Sequence, residues 1–370
     1  MINFSNRLQK LKDRRQGSAQ RIALESGQSL AFDIDLRPTE NYEKVKESDA
    51  VKYVIGAMAP VSETSTKVSI QEGERVATTL VGLLDTDGIM TEYRLQGSVA
   101  LDIHIEGHSD VDMLILIRNT LQAQQPYLSS SNYIPASDTR DMILQVQELR
   151  LVSEEKLTNR YHQANVDCDN RKSISLSGGS LTRKVDIVPG SWFDTHDYQR
   201  SRQQYDRIVK IYDKEDHKFI ENRPFLHIKK VDDKDQLYDG NLKKVVRLMK
   251  NIVADMPDGK KKIAKKLSSF DLTSIAYHMN ERLSCSIYFP LQLVGKLNDW
   301  LLLLKDDAGL RESLLVPDTT RTVFDSDEKN DALDILSNEV NDLVLSIYKD
   351  IFPDDVIKDI NKLRTKAVIV

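Results

Sequence analysis

The chain has 370 residues, 40% of them hydrophobic and 29% charged, a balance that excludes intrinsic disorder and supplies enough core for two lobes. Its net charge of -5 argues against a surface built throughout to neutralise nucleic-acid phosphates, so any anion site is local and no stable nucleic-acid partner is expected. Two cysteines, Cys168 and Cys285, with no Cys or His at ligand spacing, exclude a disulfide framework and a zinc site.

The first 15 residues are polar and basic without an apolar leader segment, and the dense apolar run at 300–304 is too short to cross a bilayer. A cytoplasmic, unanchored protein is expected. Residues 1–60 mix a basic amphipathic segment (Leu8 and Leu11 among Lys10, Lys12, Arg14 and Arg15) with a loop-like stretch at 37–40. They read as an extension that packs on the main body. The positions of Val68, Ile70, Val76, Leu80, Val81 and Leu84 predict a long helix over 63–84, closed at Asp85-Thr86-Asp87-Gly88, with a strand at 92–95.

Next come Gly97-Ser98, a polar excursion to Ser109, and an apolar strand over 111–117 headed by Asp110 and Asp112. A second long helix is predicted over 138–165. Strands at 173–176 and 181–188 flank Ser177-Gly178-Gly179-Ser180, a hairpin signal, and Asp186 lies on the return strand. A further short hairpin at 208–212 and 217–220 is closed by Arg223-Pro224. Beyond Gly240 the pattern turns helical, at 242–253, 270–283, 291–304, 331–351 and 356–363. The expected organisation is α+β, with an extension at 1–60, a strand-bearing domain at 61–235 and a helical domain at 236–370.

In Asp110-Val111-Asp112 the two acids are two residues apart, which on a strand points both to one face. Like charges so close call for a cation, and hard Mg²⁺ or Mn²⁺ prefers carboxylate oxygen. Asp186 repeats the anomaly, an acid at an alternating position of an apolar strand, where an unpaired charge is costly. Three such carboxylates can hold two ions about 3.5–4 Å apart, the arrangement for in-line phosphoryl displacement. Solvated acids at strand ends are the competing explanation. Asp33-Ile34-Asp35 has the same form but lacks an upstream Gly-Ser and a following apolar strand, and is read as surface or structural.

Gly97-Ser98 suits a turn whose backbone N–H groups and Ser98 hydroxyl face an anion, although a plain turn accounts for it equally. No Gly-x-x-x-x-Gly-Lys-Ser/Thr motif occurs, which disfavours a P-loop NTPase. On the helix from Leu242, Lys243, Arg247 and Lys250 share the side opposite an apolar stripe. Such a row can grip a triphosphate or simply be solvated. Ser269 can cap a helix or donate to phosphate, and Phe270 can join the core or stack on a base.

Leu95-Gln96-Gly97-Ser98, Ser109-Asp110-Val111-Asp112-Met113-Leu114 and Lys184-Val185-Asp186-Ile187-Val188-Pro189 together resemble the polymerase-β-like nucleotidyltransferases. With the helix from Asn241 to Lys250 and Lys266-Leu267-Ser268-Ser269-Phe270 they resemble, more narrowly, the CD-NTase family of bacterial relatives of cyclic GMP-AMP synthase, over roughly 60–300. The resemblance implies a bilobed α+β fold with a mixed-sheet palm and a C-terminal helical lobe. It implies that Asp110, Asp112 and Asp186 bind two Mg²⁺ or Mn²⁺ ions and carry catalysis. It assigns Ser98, Lys250 and Ser269 to the nucleotide's triphosphate and Phe270, where relatives often carry Tyr, to a base; Gly97 in the turn and Arg247 in the cationic row are read as nucleotide-binding beside them. The implied activity joins NTPs, ATP among them, into a cyclic oligonucleotide second messenger that acts on a downstream effector in anti-phage (CBASS) defence. Template-independent addition to RNA or protein, and a catalytically silent nucleotide-binding scaffold, are the alternatives.

Overall fold

The computed structural model describes residues 2–25, 39–129, 131–356 and 359–369, the side chains of 17–25 excepted. The chain divides into two compact units, one of residues 62–101 and 109–230, the other of residues 1–61, 102–108 and 231–370.

The first unit is built on a mixed sheet. Its strands among the described residues are β1 (Thr91–Gln96), β2 (Val111–Ala123), β3 (Asn165–Asp167), β4 (Ile174–Ser177), β5 (Val185–Asp194), β6 (Arg207–Asp213) and β7 (Lys218–Asn222). They run in the order β1-β2-β5-β4-β3, with β6 paired to β5 and β7 to β6. β2 and β5 are parallel, and the other pairs are antiparallel.

Strand alternation separates two faces. Val111, Met113, Ile115, Ile117, Val185 and Ile187 pack with Val76, Leu80 and Leu84 of the helix Glu63–Thr86 and with Val146, Leu149 and Leu157 of the helix Met142–Arg160. Each such side chain contributes about 1.5–3 kcal/mol on burial. Leu114, Leu116 and Val188 lie on the opposite face with Trp192, Val209, Ile211 and Phe225. Asp112 and Asp186 precede Leu114 and Val188 by two residues, so strand parity puts them on this second, more thinly packed face. Ser62 caps the first helix by accepting from the Ser65 N–H.

The second unit is helical, and its centre is the helix Asn241–Asp255, most of which is buried. The N-terminal residues, expected as an extension, belong to this unit and form the helices Phe4–Glu25 and Asp49–Met58. They are bonded to the central helix. Arg14 pairs with Asp255, Tyr53 Oη donates to Asp255 at 2.9 Å, and Asn251 Nδ2 donates to the Ala57 carbonyl at 3.0 Å.

Several elements differ from expectation. The helix expected over 138–165 is confined to Met142–Arg160, because Asn165–Asp167 instead pairs with β4. β2 extends to Ala123, and β5 starts at Val185 and runs to Asp194. Arg223-Pro224 opens a further helix, Pro224–Leu237, proline being suited to a first helical turn. Of the segment 356–363, residues 357–358 lie outside the described residues, and only Asn361–Arg364 forms a short helix. Asp33 and Asp35 also lie outside them.

Candidate active site

The parallel pairing of β2 and β5 places Asp112 directly opposite Asp186. Residues opposed in a parallel register point to the same face, so these acids, 74 positions apart in sequence, are neighbours. Asp110 stands just before β2, where the Val111 N–H donates to the Lys184 carbonyl at 3.0 Å. The two strands thus enter the sheet side by side. Lys184 Nζ donates to Asp110 Oδ2 at 2.6 Å and lies 3.5 Å from Asp186 Oδ1. The ammonium therefore spans the early and the late carboxylate. Burial acts to lower the Lys184 pKa, but the bond to Asp110 and the charges of Asp186 and Asp110 outweigh it, and the net shift is upward.

Asp186 is held from its other neighbour as well. Ser175 is opposed to it across β4 and β5 and donates its hydroxyl to Asp186 Oδ1, while Asn170 Nδ2 donates to Ser175 Oγ at 3.0 Å.

Gly97 follows Gln96, the residue opposed to Asp112 across β1 and β2. It has φ +76°, and a β-carbon there would meet Asp112 Oδ2 at 2.1 Å. Only glycine suits this left-handed backbone with the carboxylate against it. Ser98 follows, half-buried, in the short helix Gly97–Ala100.

Among the described residues, no group of three or more His, Cys, Asp or Glu side chains stands at metal-ligand spacing. The acids nevertheless suit a hard divalent ion: oxygen donors of like charge, two of them in register, whose repulsion demands a cation. Lys184 supplies a cation to two of them in this structure. Sequence reasoning overlooked it, because a lysine just before a strand carries no signal of its own.

In the helical unit the expected row of solvent-facing cations is not found. Arg247 is buried, with Nε donating to the Met58 carbonyl at 2.9 Å and Nη1 to the Asp102 carbonyl at 2.6 Å. Its guanidinium is committed to the fold, which corrects its assignment to a nucleotide. The periodicity misled because the helix is covered on nearly all sides. Lys243 pairs with Asp232 at 2.8 Å, and Lys250 is buried.

Ser268, not Ser269, caps the helix Ser269–Tyr277, in a capping box with Asp271. The Ser269 side chain is left exposed. Phe270 is half-buried, with the Arg321 guanidinium over its ring at 5.4 Å.

Residues 229–341 match the cGAS/DncV-like nucleotidyltransferase C-terminal helical domain. The chain is 35% identical over 362 residues to the cyclic dinucleotide synthase CdnE of Yersinia aleksiciae, an alignment covering 94% of this chain and 93% of that protein. It is 31% identical over 322 residues to a c-di-GMP synthase of Capnocytophaga granulosa, covering 80% and 87%. The structure of a STING-associated CdnE c-di-GMP synthase from Capnocytophaga granulosa superposes with a TM-score of 0.68 at 27% identity, covering 94% of this chain and 99% of that one.

Proposed function

Because this chain belongs to the CD-NTase family of nucleotidyltransferases, we propose that Asp110, Asp112 and Asp186 are its catalytic acids and together hold two divalent metal ions. The protein is a nucleotidyltransferase that makes cyclic oligonucleotides, with the α+β polymerase-β-like fold. The observation that carries the site assignment is the register of Asp112 against Asp186, since opposed acids on one sheet face are costly without a function.

Its substrates are nucleoside triphosphates, and the names of the relatives favour a cyclic dinucleotide as product. The reaction is attack of a ribose hydroxyl on an α-phosphate with release of pyrophosphate. Bound Mg²⁺ or Mn²⁺ supplies Lewis acidity toward the hydroxyl and phosphoryl oxygens. The chain's own residues set up that chemistry. Ser175 fixes the Asp186 carboxylate, and Gly97 leaves room for that of Asp112. By the family resemblance Ser98, Lys250 and Ser269 are each assigned to phosphate and Phe270 to a base face.

The product is a second messenger for an effector in anti-phage defence. No helix among the described residues is long and apolar enough to cross a membrane.

The purified full chain, given Mg²⁺ or Mn²⁺ and four labelled NTPs and then phosphatase, is expected to leave a small phosphatase-resistant product. Label on RNA or protein instead would establish macromolecular transfer, and no turnover with any divalent ion would establish a silent scaffold.

A further inference from the structure

We propose that Lys184 is an internal counter-ion for the metal site: its ammonium holds Asp110 and Asp186 together in the ion-free protein and is displaced when a divalent cation binds. The proposal rests on the assignment of the three acids as metal ligands and names a residue that acts on them. Nζ lies 2.6 Å from Asp110 Oδ2 and 3.5 Å from Asp186 Oδ1, so one positive charge is shared between carboxylates from two strand entrances.

Two features make this placement more than a surface ion pair. The Lys184 backbone is anchored, since its carbonyl accepts from the Val111 N–H, which fixes the stem of the side chain beside β2. Its neighbour Val185 is fully buried in the sheet core, so the lysine cannot shift along the strand without disrupting that packing. The side chain itself is 40% exposed, as is that of Asp110. It can swing into solvent at little cost once another cation takes over the carboxylates.

Without the ammonium, the like charges gathered by the strand register repel, and the ion-free site loosens. With it, an incoming ion must compete for at least two of its ligands. Lys184 thereby keeps the site assembled while reserving it for an ion that binds strongly enough to displace an ammonium. It is a positioning residue, acting through the two carboxylates that it pairs.

Direct Mn²⁺ titration of the full chain, following free Mn²⁺ by electron paramagnetic resonance without nucleotide, tests this. Lys184→Met removes the competing charge, Lys184→Arg retains it, and Asp110→Ala with Asp112→Ala removes ligands. Lys184→Met is expected to bind Mn²⁺ at least about fivefold more tightly than wild type, the effect of one unit charge at contact distance in water. Lys184→Arg should stay within about twofold of wild type on the same reasoning. Thermal melts should show the ion-free Lys184→Met protein below wild type, with saturating Mn²⁺ closing the gap.

Equal or weaker Mn²⁺ binding by Lys184→Met, with binding still lost in the aspartate variant, overturns the role of Lys184 and leaves the metal assignment standing. Unchanged ion-free melting of Lys184→Met likewise overturns the holding role. Mn²⁺ binding that is the same in wild type and in the aspartate variant overturns the metal assignment, and this proposal with it.

Discussion

A β-carbon on Gly97 would lie 2.1 Å from Oδ2 of Asp112. The glycine and the acid therefore form one unit, a left-handed turn that exists where it does because a carboxylate fills the place of its missing side chain. Gly97→Ala must either displace Asp112 or open the turn, and alanine at φ +76° adds roughly 1–2 kcal/mol of backbone strain. Product formation is expected to fall about 100-fold, the scale of a displacement near 1 Å in a catalytic group. Steady-state synthesis, together with a thermal melt showing that the protein remains folded, checks this.

Arg247 should behave as a structural residue. It is buried and donates to the carbonyls of Met58 and Asp102 within the helical unit. Arg247→Ala leaves those acceptors unsatisfied and is expected to cost about 3 kcal/mol of stability. Urea denaturation measures that loss. At a temperature where the variant stays folded, its KM for NTP should match wild type, whereas a KM raised tenfold with unchanged stability would restore a nucleotide contact.

His227 is expected to shape the acid side of the stability profile. Burial lowers its pKa to about 3, against about 6.5 in the unfolded chain. The unfolded state therefore binds the proton first, so this contribution is complete above pH 6.5 and is lost as pH falls toward 3. Between pH ~7.5 and ~5 the loss is about 2 kcal/mol. Urea titrations followed by tryptophan fluorescence, to which Trp192 contributes with its ring 5.5 Å from that of Phe225, two residues before the histidine, should show that slope. His227→Leu should flatten it, and an identical slope in the variant would locate the acid sensitivity elsewhere.

Much of the sheet unit was legible in the sequence because its signals are local. Alternation in β2 and β5, the glycine pair after β4 and the acids interrupting apolar strands all lie within a few residues of one another. The helical unit was harder to read. Nothing near Arg7 in the sequence points to a partner, yet it is buried against Glu339, 332 positions away. Arg14 meets Asp255 at a separation of 241. A charge neutralised by so distant a partner is indistinguishable in sequence from one facing water, so residues 1–60 read only as an extension packing on the body, and Arg247 only as one of a row that is either solvated or phosphate-facing. Capping shows the same limit at short range: two adjacent serines satisfy the pattern, and only the backbone reveals that Ser268 caps while Ser269 stays exposed.

The most direct test of the central claim is cyclic product formation by Asp186→Asn, a substitution that keeps shape and the hydrogen bond from Ser175 but removes the charge. With folding confirmed by circular dichroism and an unshifted melting transition, synthesis from labelled NTPs should fall by about 1,000-fold or more, as for loss of a group stabilising transition-state charge. Undiminished phosphatase-resistant product from this variant would contradict the account.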